Sequence, residues 1–233
     1  MKIYRDVVQG TTEWKQLRLG IPTASQFHRI VTPKGAPSKS QEGYRHELLA
    51  ERLLGEELEG FESPWMTRGK DKEQEAVYFY QLQRGLDIER VGFVLNDAGT
   101  VGASPDGLVG EDGTAEIKVC KPSVHVGYLL QDGTAYAEHQ IQVQGQLWVA
   151  ERQWSDLICY CPGLPSAIHR AERDEPFIAS LAKEMALFVE KLEALWQVCI
   201  ARGYVAQDLP TGSTGDPLLD SLLKSAERMG MKV

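Results

Sequence analysis

GASPDGLVGEDGTAEIKVCKP, residues 102–122, is the stretch on which the reading of this chain turns. Asp106 follows Pro105 at the end of one extended segment, and the Glu-Asp-Gly turn at 111–113 leads into a strand, TAEIKVC (114–120). Strand side chains alternate with period two, so Glu116 and Lys118 share one face while Ala115, Ile117 and Val119 turn to the opposite layer. A hairpin-like return then brings Asp106 beside Glu116, and two carboxylates and one ammonium converge. Mg²⁺ takes a few hard oxygen ligands and keeps several waters. Asp106, Glu116 and the backbone carbonyl of Ile117 suit it. Such an ion polarises a phosphodiester and helps make hydroxide from water. Lys118 would orient or deprotonate that water, or stabilise the developing negative charge. Taken alone, a Glu-Ile-Lys tripeptide on a strand also reads as an exposed alternating face.

Around this stretch the chain alternates strands and helices. VGFVLN (91–96), an Asp-Ala-Gly turn and TVGAS (100–104) form a predicted hairpin. Helices are expected over 40–55, over 64–84 with a stop before Gly85, and over 138–151. Strands follow at 154–161 and 166–172. Residues 174–202 give a long amphipathic helix, with Ile178, Leu181, Met185, Phe188, Leu192 and Leu195 at helical spacing. TPKGAPSKS (32–40) reads as a mobile surface loop. The sum is an α/β domain over residues 1–210, with a small mixed central β-sheet flanked by α-helices, and a C-terminal tail at 211–233.

Composition narrows the class. With 42% hydrophobic and 25% charged residues the chain is an ordinary globular one. No apolar run approaches the roughly 20 residues needed to span a bilayer, and MKIYRDVVQG at the start lacks the apolar stretch of a secretory signal. A cytoplasmic protein with no membrane partner is expected. Cysteines stand at 120, 159, 161 and 199 without a Cys-x-x-Cys pair, so four reduced thiols in or near the core fit better than a structural zinc. The formal charge of −8, from 25 basic and 33 acidic side chains, opposes phosphate binding unless the positive charge is localised. Residues 26–46 hold Arg29, Lys34, Lys39 and Arg45 against Glu42 alone, which is either a basic groove or a solvated loop.

Three further clusters accompany the carboxylates. TEWKQLRLGIPTAS (12–25) contains Trp14, Arg18 and Ser25. TRGKDKEQEA (67–76) sets Gly69 at a helix start and Glu73 five residues after Arg68. EHQIQVQGQLWVAERQWSDLICYCPG (138–163) is a Gln-rich helix running into a strand. In this order the clusters resemble the phage lambda exonuclease family, the viral recombinase alkaline exonucleases of the PD-(D/E)xK nuclease superfamily. The resemblance runs from about Thr12 to near Tyr204 and includes ERDEPFIASL (172–181).

The resemblance implies a restriction-endonuclease-like core and a Mg²⁺-dependent enzyme, with Mn²⁺ as a substitute. It implies 5′→3′ exonuclease action on double-stranded DNA ends, giving mononucleotides and a 3′ single strand. Arg18 and Ser25 match positions that hold the 5′-phosphate. By residue type alone they also read as a surface ion pair and as a helix N-cap opening Gln26–Val31. Glu73 matches an acid that joins Asp106, Glu116 and Ile117 at the metal, with Glu75 as the fallback register. Gln142 and Gln144 match the family's Gln-x-Gln, although two residues apart on a helix they cannot face one point equally. Trp14 is expected to pack. A homotrimeric ring around DNA and a single-strand annealing protein as partner are also implied. The competing readings are a structure-specific or restriction-like endonuclease with the same metal site, and a non-catalytic DNA-end-binding module.

Overall fold

The computed structural model describes residues 1–58, 64–131 and 133–204, and of residues 64–71 the backbone alone. The expected domain limit at residue 210 and the tail at 211–233 lie outside the described residues, as do the side chains of Arg68 and Asp71.

Two sheets stand where one was expected. The first is antiparallel, with β1 (Lys2–Tyr4), β2 (Phe93–Leu95) and β3 (Gly102–Ala103) in that order. The second is mixed: β4 (Gly107–Val109) runs antiparallel to β5 (Gly113–Val119), β5 parallel to β6 (Trp154–Tyr160), and β6 antiparallel to β7 (Ala167–Glu172). The break between β3 and β4 falls at Ser104-Pro105. Proline has no N–H to continue a ladder. Gln9 instead holds that turn, donating from Nε2 to the Pro105 carbonyl at 2.9 Å.

Six α-helices are described: α1 (Thr12–Arg18), α2 (Gln41–Leu54), α3 (Pro64–Arg84), α4 (Pro122–Leu130), α5 (Thr134–Val149) and α6 (Glu175–Ala201). A 3-10 helix spans Ala24–Arg29. The boundaries follow local chemistry. Thr11 accepts from the Trp14 amide to open α1, and Asp174 accepts from the Phe177 amide to open α6. α4 was not anticipated; Pro122 at its first position is preset for a helix start. β1 was also unread, being three residues long, and α5 begins four residues ahead of its expected start. TPKGAPSKS is a bonded turn rather than a free loop, with Thr32 N–H to Ala36 O at 2.8 Å and Ser38 N–H to Ile30 O at 2.9 Å.

The mixed sheet is covered on both faces. Val77 and Tyr80 of α3 pack on Ala115, Ile117 and Ile158. Tyr128 of α4 with Val143 and Leu147 of α5 pack on Leu157, Cys159 and Ala171 on the other face. A second core joins the 3-10 helix, α2, α6 and the antiparallel sheet through Phe27, Ile30, Leu48, Val94, Leu181 and Phe188. Gly145 lets α5 lie against the 3-10 helix, since a Cβ there would sit 2.5 Å from the Phe27 ring. α3 is pinned by polar contacts as well: buried Asp156 accepts from Tyr80 Oη at 2.7 Å and from Arg170 at 2.7 and 2.9 Å. Among the described residues no helix is long and apolar enough to cross a membrane.

Candidate active site

β5 carries the expected alternation into three dimensions. Ala115 and Ile117 face α3, and Glu116 and Lys118 face α5. β4 pairs with β5 only as far as Gly107 opposite Ala115. Beyond that point the open edge of β5 is met by a side chain: Asp106 Oδ2 accepts the Ile117 N–H at 2.5 Å, while the Asp106 N–H donates to Ala115 O at 3.1 Å. Gly107 permits this approach, because a Cβ there would lie 2.1 Å from Ile88 Cγ2. A strand residue sends its N–H and C=O to the same side. The Ile117 carbonyl therefore emerges on the edge that Asp106 occupies.

Glu116 is almost fully enclosed, its side chain 4% exposed. One oxygen, Oε1, pairs with Lys118 Nζ at 2.7 Å and accepts from Gln142 Nε2 at 2.6 Å. Gln142 Oε1 in turn accepts from Lys118 Nζ at 3.1 Å, closing a three-membered ring of contacts. The other oxygen accepts from Gln146 Nε2 at 2.5 Å. Burial works against the charge of Lys118, but Glu116 and then Asp106 outweigh it and hold the ammonium above its ordinary pKa. Asp106 is pushed well above the ordinary carboxylate range by burial, then by Glu116 and by Glu73, against the opposing Ile117 N–H and Lys118.

Glu73 thus reaches the cluster from α3, where Arg90 holds it; Arg90 also donates to the Asp106 carbonyl at 3.1 Å. Glu75 turns elsewhere, to Lys72 and the Tyr160 hydroxyl. Gln144 is not brought to the carboxylates. It points to the far side of α5, donating to Tyr136 Oη at 2.9 Å and Glu172 O at 2.8 Å and accepting from the Asp174 N–H at 2.8 Å. A step of two on an α-helix turns the side chain through roughly 200°, whereas a step of four returns it to nearly the same face. Gln146 is accordingly the partner of Gln142, a relation that an i, i+4 count along the Gln-rich run would have exposed.

At the amino-terminal cluster, Arg18 stacks over Trp14 at 3.9 Å and donates to Ser104 Oγ at 3.3 Å. Trp14 is a packing residue whose Nε1 donates to the same Ser104 Oγ and to Gly92 O, both at 3.0 Å. Ser104 is two residues before Asp106, so this cluster is anchored to the turn that presents the carboxylate. The Arg18 guanidinium is largely buried, its Nε lacks a hydrogen-bond partner, and Glu57 approaches it only to 4.0 Å. It lines a cavity of about 490 Å³ with Thr23, Gln26, Arg29 and Glu57. Ser25 is exposed beside Gln26 and does not cap the helix; Thr23 is the cap residue of the 3-10 turn, because that turn begins two residues earlier than expected. The basic run is partly neutralised, Arg29 being paired with Glu47.

The donor set accommodates a divalent cation only in part through side chains. Among the described residues no group of three or more His, Cys, Asp or Glu side chains is spaced to hold an ion alone. Asp106 and Glu116 with the Ile117 carbonyl match the sparse protein shell that Mg²⁺ accepts. Asp106 is raised by burial first and then by Glu116 and Glu73, and a bound cation would relieve that repulsion.

The family model of the YqaJ-like viral recombinase domain matches residues 13–153. No curated protein matches the chain. Among solved structures, the alkaline exonuclease LHK-Exo from Laribacter hongkongensis is 32% identical with a TM-score of 0.73, over 82% of this chain and 97% of that one. The same figures hold for LHK-Exo in complex with dAMP. A phage related exonuclease from Haemophilus somnus 129PT, 15% identical, shares the fold at a TM-score of 0.62 over 76% of this chain and 96% of that one. The fold is the restriction-endonuclease-like one, with mixed α/β layers built on two small sheets.

Proposed function

This chain belongs to the YqaJ-like viral recombinase domain family, the lambda exonuclease family, and from that premise we propose that it degrades one strand of double-stranded DNA in the 5′→3′ direction. That it is a nuclease, a hydrolase acting on DNA, follows from the family and from the likeness to an alkaline exonuclease. The finer reading has Mg²⁺, with Mn²⁺ as substitute, held by Asp106, Glu116 and the Ile117 carbonyl with Glu73 nearby. The products are mononucleotides and a 3′ single strand; LHK-Exo has been solved with dAMP, which suits a mononucleotide product here.

One observation carries the direction: the buried, incompletely paired Arg18 is tied through Ser104 to the Asp106 turn. A guanidinium kept from water gains most from a phosphate, and it sits one short turn from the carboxylates. A 5′-phosphate would replace Glu57 as its counter-ion, with exposed Ser25 as an added donor. When bound, the metal ion polarises the phosphodiester and lowers the pKa of water. Lys118, held charged by Glu116, serves to stabilise negative charge on the phosphate rather than to take a proton. Gln142 fixes the Lys118 ammonium and the Glu116 carboxylate relative to each other. Residues 1–210 would act as one domain, and a homotrimeric ring with a basic lumen would reconcile the net charge of −8 with DNA binding. A single-strand annealing protein would receive the 3′ strand, in the cytoplasm.

The test is incubation with Mg²⁺ and DNA that is linear with a 5′-phosphate, linear with a 5′-hydroxyl, or covalently closed. Only ends are expected to be consumed, the phosphorylated ones faster. Cleavage of closed circles would establish the endonuclease reading instead, and DNA binding without any cleavage would establish the end-binding module.

A further inference from the structure

α5 presents a third polar side chain on the face that holds Gln142 and Gln146. His139 lies three residues before Gln142 and seven before Gln146, and positions so spaced stack along one side of a helix. Gln146 meets Glu116, and Gln142 meets both Glu116 and Lys118. His139 therefore extends the row past Lys118. The cluster opens on that side: the Glu116 side chain is 4% exposed and that of Lys118 26%. His139 is itself half-buried, and no described residue hydrogen-bonds its imidazole. Its neighbours are engaged, by contrast: Tyr128 donates to Glu138 at 2.5 Å, and Gln142, Gln144 and Gln146 are all hydrogen-bonded. Burial, then Lys118, hold the His139 pKa below the usual histidine value, while Glu116 and Glu138 oppose them. Burial and the adjacent cation thus favour the neutral ring, which carries one N–H and one lone pair.

We propose that His139 is a further catalytic residue, donating from its imidazole N–H to a non-bridging oxygen of the phosphodiester being cut. The inference rests on the nuclease reading of the Asp106–Glu116–Lys118 cluster. Lys118 on β5 balances the charge of the phosphate; His139 on α5 adds a directional donor beside it. No bond forms or breaks at the imidazole, and no proton is transferred.

The full chain and its His139→Ala and His139→Gln variants are compared in single-turnover cleavage of linear, 5′-phosphorylated DNA with Mg²⁺. The first linkage is either natural or a phosphorothioate of one diastereomer at a time. His139→Ala is expected to slow cleavage of natural DNA roughly 10- to 100-fold, the range for one hydrogen bond to a charged group. His139→Gln, which keeps an N–H donor, is expected to restore part of that loss. One diastereomer should slow the wild type yet cause little further slowing in His139→Ala, because the contact it weakens is already gone. A purely structural role would leave the sulfur penalty intact. Melting temperature and affinity for DNA ends in Ca²⁺ are read in parallel, and if His139→Ala does not fold, His139→Gln and His139→Asn carry the comparison. Cleavage at the wild-type rate by His139→Ala overturns the inference. So does a slowed variant with the full sulfur penalty for both diastereomers. Absence of cleavage by the wild type overturns the nuclease reading and this inference together.

Discussion

Gln144 and Gln146 differ by two positions and should differ in kind when replaced by leucine. Gln146 is 1% exposed and donates to Glu116 Oε2 at 2.5 Å. A hydrogen bond to a charged group is worth about 1.5–3 kcal/mol, and each 1.36 kcal/mol is tenfold in rate, so Gln146→Leu is expected to slow cleavage roughly 10- to 150-fold. Gln144 makes three bonds to neutral groups, to Tyr136, Glu172 and Asp174, none of them at the carboxylates. At about 0.5–1.5 kcal/mol each, their loss costs roughly 2–4 kcal/mol of stability, which lowers the melting temperature by roughly 4–16 °C in a chain of this size. Gln146→Leu also leaves a buried carboxylate oxygen unpaired, so both variants melt earlier; only the rate separates them. The assay is single-turnover digestion of linear DNA with Mg²⁺ at 20 °C, normalised to folded protein by near-ultraviolet circular dichroism. Gln144→Leu should digest within about threefold of wild type. If folded Gln144→Leu is inactive while Gln146→Leu digests normally, the assignment of the two faces of α5 is wrong.

Asp106 gives a pH test. Its folded-state pKa is raised by burial, Glu116 and Glu73, so its contribution to stability is favourable below the ordinary carboxylate pKa and is lost as pH rises through the elevated value. Asp106→Asn should therefore raise the metal-free melting temperature at neutral pH, and Mg²⁺ should stabilise wild type more at pH 8 than at pH 5.5 while leaving the variant unmoved; a variant that melts lower in EDTA would refute the account. Arg18→Lys keeps the charge but loses the bidentate fork, so the rate advantage of 5′-phosphate over 5′-hydroxyl ends should shrink roughly tenfold or more. An unchanged ratio in the same digestion assay would remove Arg18 from the end pocket. Tyr80→Phe deletes one donor to buried Asp156 and is expected to cost about 1.5–3 kcal/mol, visible as a lower urea midpoint with an unchanged slope.

Much of this was legible in the residues. Alternation along 114–119 put Glu116 and Lys118 on one face, and both meet α5 there. The helices with caps or breakers, α3 before Gly85 and α6 after Asp174, were read almost to the residue. What escaped was set by tertiary contact. α4 has a weak amphipathic pattern, with His125 and Tyr128 buried but Val124, Val126 and Leu130 exposed, so its sequence carries no clear face. β1 exists because β2 offers it an edge. Arg90, which holds Glu73, belongs to no motif, and Ser104, although next to Pro105-Asp106, is marked as the partner of Arg18 only by the side chains it touches. Gln146 was within reach of helical periodicity, but the Gln-x-Gln spacing drew the reading to Gln144.

The position of Asp106 is explained by the sheet itself. A strand edge left without a partner carries N–H and C=O groups that must be satisfied. β4 covers β5 for three residues and ends at Gly107, because Pro105 cannot continue the ladder. The Ile117 N–H then has no backbone acceptor on that side, and Asp106, one residue beyond the last strand pair, supplies a carboxylate instead. The same truncation that creates an unsatisfied amide also leaves the Ile117 carbonyl uncovered and places a negative charge next to it. A hydrogen-bonded β4 extending two residues further would satisfy the amide, occlude the carbonyl and turn Asp106 away, removing three features at once. The shortness of β4 is therefore what converts an ordinary strand with alternating Glu and Lys into a cluster able to take a cation, and the Pro-Asp pair matters for where it stops the strand as much as for the acid it brings.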